Sequence, residues 1–113
     1  MSTLNISSYT KHDALVLKLA GSAGMTQADL LRRDLQRIIN ARPARVVVDL
    51  TELTGISSLF AGDMVALHNA IKKTGGVVLI AGPQPNVLQA LTKMRIDQMM
   101  KVTASVDAAL GAP

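Results

Sequence analysis

Val46-Val47-Val48-Asp49-Leu50-Thr51-Glu52-Leu53-Thr54-Gly55-Ile56-Ser57-Ser58-Leu59-Phe60-Ala61 is the stretch that decides the fold. It begins with a β-branched run, passes through a polar turn and enters an amphipathic segment opened by two hydroxyls. That succession predicts a strand–loop–helix joint. Arg45 to Leu50 is almost wholly apolar, the pattern of a strand covered on both faces. Ser57 and Ser58 stand where the helix would start. A hydroxyl there can cap the first turn. It can also carry a phosphate, which a helix N-terminus stabilises.

The segments on either side extend the same pattern. Leu4 to Tyr9 and Ala14 to Leu19 read as strands, joined by a Lys11-His12-Asp13 turn into a hairpin. Gly21-Ser22-Ala23-Gly24 is expected to break the second strand. Thr26 is expected to open a first helix, with Asp29 at the capping-box offset. Ala28, Leu31, Leu35, Ile38 and Ile39 form its apolar stripe, and Pro43 stops it near Ala41. The second helix is expected over Ser58 to Lys73, with Phe60, Met64, Leu67 and Ile71 on one face and Asp63 off it. Thr74-Gly75-Gly76 ends it.

Val77 to Ala81 reads as a further buried strand, and Gly82-Pro83-Gln84-Pro85 as a turn. Asn86 is expected to cap a third helix striped by Val87, Leu88, Leu91 and Met94. A short strand over Met99 to Thr103 and a final helix capped by Ser105 complete the order β-β-α-β-α-β-α-β-α. Strands alternating with helices imply parallel pairing and right-handed crossovers, and the opening hairpin adds an antiparallel edge. The expected fold is a small α/β domain with a mixed sheet, spanning residues 1–113 as one unit.

Composition bounds the chemistry. The chain has 113 residues, 12 Lys and Arg against 8 Asp and Glu, and no cysteine. Disulfide frameworks, thiol catalysis and cysteine zinc sites are therefore excluded. The opening residues lack the basic and apolar regions of a signal peptide, and no apolar run approaches the ~20 residues of a membrane span. A soluble cytoplasmic protein is expected. A net charge of +4 raises the question of nucleic acid. With one Tyr, one Phe and no Trp, stacking platforms for single strands are lacking. Arg32, Arg33, Arg37, Arg42 and Arg45 cluster on and after the first helix, interleaved with Asp29 and Asp34; such a run reads first as a solvated face.

Nothing else in the sequence builds a reaction centre. His12 falls in the hairpin turn and His68 beside the core stripe of the second helix, where a partly buried structural role is expected. Asp49 ends a strand with only Glu52 near it. No metal, nucleotide or nucleophile-elbow motif occurs, so neither a cofactor nor an enzymatic activity is expected.

The chain resembles the STAS domain, the fold of bacterial anti-sigma factor antagonists, over nearly its whole length. The matching pieces are Leu19-Ala20-Gly21 at the end of the second strand and Val46-Val47-Val48-Asp49-Leu50 before a polar turn. Ser57-Ser58 opens the second helix, Gly75-Gly76 precedes the fourth strand, and Ser105-Val106-Asp107-Ala108-Ala109-Leu110 closes the chain. Two features depart from the family pattern. At the loop–helix joint the family has Asp-Ser-Ser-Gly or Asp-Ser-Thr-Gly; here Ile56 replaces the Asp and Leu59 the Gly. The loop before the first helix is often Gly-x-x-Asp; here it ends at Gly24 without the acid.

The resemblance implies a protein that binds an anti-sigma factor with ATP-dependent serine kinase activity and is switched by phosphorylation. Ser57 is the position it assigns to the phosphate, with Ser58 second. Gly24, Ile56, Ser57, Ser58, Leu59 and Asp63 would border the partner surface. Exposed Ile56 and Leu59 would favour a protein partner. The alternatives are a non-switching module that binds other STAS or sensor proteins, and a nucleic-acid binder using the arginine-bearing helix.

Overall fold

The computed structural model describes residues 4–23 and 28–111. The elements are β1 (Leu4–Lys11), β2 (Ala14–Ala23), α1 (Ala28–Ala41), β3 (Arg45–Ile56), α2 (Ser58–Lys73), β4 (Val77–Ala81), α3 (Pro85–Lys93), a 3-10 turn (Ile96–Gln98), β5 (Lys101–Thr103) and α4 (Val106–Leu110). The strands form one sheet in the order β1-β2-β3-β4-β5. β1 and β2 are antiparallel, and every later pair is parallel. This is the expected small α/β domain with a mixed sheet. Thr26, read as the opening of the first helix, lies outside the described residues.

Strand alternation sorts the apolar side chains onto two faces. Leu17, Leu19, Val46, Val48, Val78 and Ile80 meet α1, α2 and α3 in the larger core. Ala14, Val16, Val47, Leu79 and Ala81 meet Ala109, Val106 and Leu110 of α4 on the opposite face. The all-valine run at 46–48 is thus buried on both sides, as its composition predicts. The α2 stripe of Phe60, Met64, Leu67 and Ile71 is buried as expected. Its C-terminus is a Schellman turn: the Gly76 N–H donates to Ile71 O and the Gly75 N–H to Lys72 O, with Gly75 at φ 86.

Four expectations give way. β3 does not stop at Leu50 but runs to Ile56, so the polar turn is strand. Likewise β2 continues through Gly21 to Ala23. The physical reason lies in their register. Lys18 faces Asp49 while Ala20 faces Glu52, and Gly21 faces Leu53 while Ser22 faces Gly55. At each step β3 carries one extra residue, a bulge that resets the alternation.

The third correction concerns Asn86, which does not cap α3. Gln84 occupies the N-cap position and Pro85 the first turn, where its missing N–H costs nothing. On α3 Val87 and Leu91 are buried, but Leu88 and, at the C-cap, Met94 are exposed. Finally, β5 begins at Lys101, not Met99, because the 3-10 turn consumes the residues before it. Ser105 does cap α4, its hydroxyl accepting from the Ala108 N–H at 3.1 Å.

Candidate functional site

The joint between β3 and α2 is built from both sides. β4 pairs with β3 only as far as Asp49, opposite Ala81. Beyond that point β3 still pairs with β2 but has lost its other neighbour. Gln84 and Asn86 take up the free side: the Gln84 amide donates to Thr51 O at 3.2 Å and the Asn86 amide to Thr54 O at 2.7 Å. From β3, the Thr54 hydroxyl reaches across to β2 and donates to Gly21 O at 2.8 Å. Side chains thus stand in for a strand, satisfying carbonyls that water would otherwise have to serve. Asp49 is buried, and one oxygen accepts from both the Thr51 N–H at 3.0 Å and the Thr51 hydroxyl at 2.8 Å. It braces β3 at the point where its pairing with β4 ends.

Ser57 is the N-cap of α2. Its backbone is extended (φ −108, ψ 167), and its hydroxyl oxygen accepts from the Phe60 N–H at 3.2 Å. The Ser57 carbonyl accepts the first helical bond, from the Ala61 N–H at 3.1 Å. Ser57 is half-buried, whereas Ser58, the first helical residue, is exposed. Ser57→Ala should therefore lower stability by about 1 kcal/mol. Ser57→Asp, which keeps an acceptor at the cap, should restore most of it. Urea unfolding curves for the three proteins check this.

Ile56 and Leu59 flank the serines and are both half-buried. Ile56 packs against the larger core. Full exposure of these two side chains, which would have favoured a protein partner, is not found. Gly24, the sixth residue of the anticipated surface, lies outside the described residues.

Asp63 is held apart from the serines. Six residues into α2, its side chain turns toward α1 and is only 12 % exposed. There its Oδ1 accepts from Arg32 Nε at 3.1 Å, while its buried Oδ2 has no hydrogen-bond partner among the described residues. Arg32, Leu35, Gln36, Ile39, Ala66 and Leu67 complete a groove of about 280 Å³ around it.

The arginine cluster is broken up by such pairings. Arg32 is held by Asp63 and Arg37 by Asp34 at 3.1 Å, and Arg45 donates to Ala109 O at 2.9 Å. No group of His, Cys, Asp or Glu able to hold a metal ion occurs among the described residues, and no described helix is long and apolar enough to cross a membrane.

Sequence reasoning missed Gln84, Asn86 and Arg32 as parts of this site. The Gln-Pro pair at 84–85 is itself a helix-start signal. It moves the cap away from Asn86 and frees that amide for Thr54.

Comparison with known proteins agrees with this architecture. No curated protein sequence matches. Among solved structures, an anti-sigma factor antagonist from Mycobacterium paratuberculosis superposes with a TM-score of 0.89 at 17% identity, covering 96% of this chain and 92% of that one. SpoIIAA, an anti-sigma factor antagonist, superposes in its unphosphorylated form with a TM-score of 0.80 at 14% identity, covering 96% and 93%. The phosphorylated form of SpoIIAA, a Bacillus cell fate determinant, gives 0.72 at 13% identity, covering 96% of each chain. At these identities the likeness is one of fold. The sequence-family comparison reaches further: the STAS domain model matches residues 5–109, and the chain belongs to the STAS domain family.

Proposed function

We propose that this STAS domain is an anti-sigma factor antagonist, which binds an anti-sigma factor carrying ATP-dependent serine kinase activity and releases it on phosphorylation of Ser57. The observation that carries the reading is the placement of Ser57: it is the N-cap of α2 and directly follows the end of β3, whose Thr51 and Thr54 carbonyls are held by the Gln84 and Asn86 amides. SpoIIAA, which shares the fold, exists in unphosphorylated and phosphorylated forms.

The physics of such a switch is favourable at this position. A phosphate adds about −1.5 to −2 charges near neutral pH, and the helix N-terminus stabilises it by ~0.3–1 kcal/mol at an exposed site. Phosphorylation would leave the fold intact and act on the partner surface. An unpaired charge enclosed in an interface costs several kcal/mol, equivalent to a loss of affinity of about 100-fold or more.

A second reading is favoured by Ile56. The family's acid at this position is absent, and the side chain is committed to the core, so a kinase would find no carboxylate beside Ser57. A non-switching module that binds other STAS or sensor proteins fits that feature. Pull-downs from the native host with wild-type and Ser57→Asp baits, read by mass spectrometry, separate the two. The Asp variant keeps the cap and adds charge. Capture of an ATP-binding anti-sigma kinase by the wild type alone supports the switch. Equal capture of the same proteins by both baits supports the constitutive module.

A further inference from the structure

We propose that β1 is a self-pairing edge, joining two copies of this chain into an antiparallel dimer about a two-fold axis at Ser7. β1 hydrogen-bonds only with β2, in an unbroken register from Leu4 opposite Gly21 to Lys11 opposite Ala14. Its outer side presents the backbone groups of alternate residues along an eight-residue strand. No other backbone or side-chain hydrogen bond reaches it among the described residues.

Edge strands are normally guarded by proline, bulges, inward charges or brevity. The opposite edge, β5, has only three residues, one of them Lys101. β1 has no proline, no bulge and a single charge, Lys11. That lysine leans away from the edge toward Asp107 of α4, 3.7 Å distant.

The register follows from the hairpin. A two-residue His12-Asp13 connection makes Lys11 and Ala14 a hydrogen-bonded pair, and bonded pairs then recur at every second residue. Tyr9, Ser7 and Asn5 therefore spend their backbone groups on β2. Thr10, Ser8, Ile6 and Leu4 turn theirs outward. In an antiparallel self-pairing, outward residues must meet outward residues. Centring on Ser7 sets Leu4 opposite Thr10 and Ile6 opposite Ser8, with Ser7 facing its own copy. This register uses residues 4–10 and leaves Lys11 beyond it, so no like charges oppose.

Side chains support the same partner. Leu4 and Ile6 lie on the larger-core side, so a second copy would continue that apolar layer across the junction. On the other face Tyr9, 46% exposed, would lie over Asn5 of the second copy. Tyrosine is among the residue types enriched at interface hot spots. The antiparallel axis would place the two Ser57 joints at opposite ends, giving a bivalent particle. This inference does not depend on the function proposed for Ser57.

The test is sedimentation equilibrium of the full chain over a concentration series, with Tyr9 as an internal probe. It is the only tyrosine, and there is no tryptophan, so acrylamide quenching of intrinsic fluorescence reports on the edge alone. The expected result is a mass rising from 11.9 kDa to twice that value while quenching falls. Association should tighten with salt, because the net charge of +4 opposes it.

Two variants bear on the edge. Ser8→Pro removes an outward N–H, which edge strands tolerate. Ser7→Lys changes an exposed side chain and brings two ammonium groups together at the axis. Both should be monomers with a wild-type circular dichroism spectrum. A wild type that stays monomeric throughout, or a dimer that survives in either folded variant, overturns the proposal.

Discussion

Gly82→Ala should destabilise the protein by about 2–4 kcal/mol, which for a chain of this size lowers Tm by roughly 10 °C or more. Two separate costs combine. Gly82 sits at φ 60, a left-handed conformation that costs an L-residue roughly 1–2 kcal/mol. A Cβ at this position would also stand 2.3 Å from Thr51 Cγ2 and 3.3 Å from Ala104 O. Relieving that contact means turning Thr51 off its bond to Asp49 or moving β3, and overpacking of this kind costs about 1–3 kcal/mol. The strain is placed where it matters, since Thr51 is also the residue that braces Asp49 and accepts from Gln84.

Gly62→Ala is the internal control, with the opposite sign. Gly62 lies on an exposed face of α2, and a Cβ there meets nothing within 4 Å. Replacing a mid-helix glycine should raise stability by up to about 1 kcal/mol. Thermal unfolding of the two single variants would give shifts in opposite directions. A Gly82→Ala protein as stable as wild type would show that the β4–α3 turn is free to reorganise.

The contrast between these glycines shows what the sequence could convey. Element order, the mixed sheet, the α2 stripe and the cap at Ser105 were legible, because each rests on local periodicity or local hydrogen bonding; for α2 the sequence narrowed the cap to Ser57 or Ser58, and the structure gives it to Ser57. The end of β3 was not. Leu50, Leu53 and Ile56 all turn toward the larger core, a spacing of three that no regular strand gives. Two bulges against β2 produce it, and nothing in the residues from Thr51 to Gly55 announces them. Composition there reads as a turn, and only pairing with a distant segment makes it strand. The same holds for Gln84 and Asn86. Their amides serve carbonyls about thirty residues earlier in the chain, a relation that periodicity does not encode. Asp63 reads in sequence as a residue off the α2 stripe at the border of the partner surface; only the packing of α1 beside it reveals its pairing with Arg32.

Ile56→Asp, which would place the family's acid beside Ser57, should cost about 2–4 kcal/mol. Two effects compete at this position. An acid just before the N-cap gains ~0.3–1 kcal/mol from the helix dipole. Against that, the substitution removes a side chain packed on the larger core and leaves a partly desolvated carboxylate in its place. The second effect is larger, and the pH dependence reports its electrostatic part, whether the carboxyl itself is desolvated. If burial dominates, the new carboxyl is raised above its ordinary value of about 3.9. The folded state then holds the proton more tightly than the unfolded state, and stability falls as pH rises through the raised value. The deficit relative to wild type should therefore shrink on acidification below about pH 5. If the helix dipole dominates, the carboxyl is depressed and the deficit grows on acidification instead. Urea unfolding at pH 4 and pH 7 distinguishes the slopes. A shrinking deficit would mean that the joint has been rebuilt around an apolar anchor. The acid would then be lost to packing as well as to recognition, and any kinase that modifies Ser57 would have to read the serines without it.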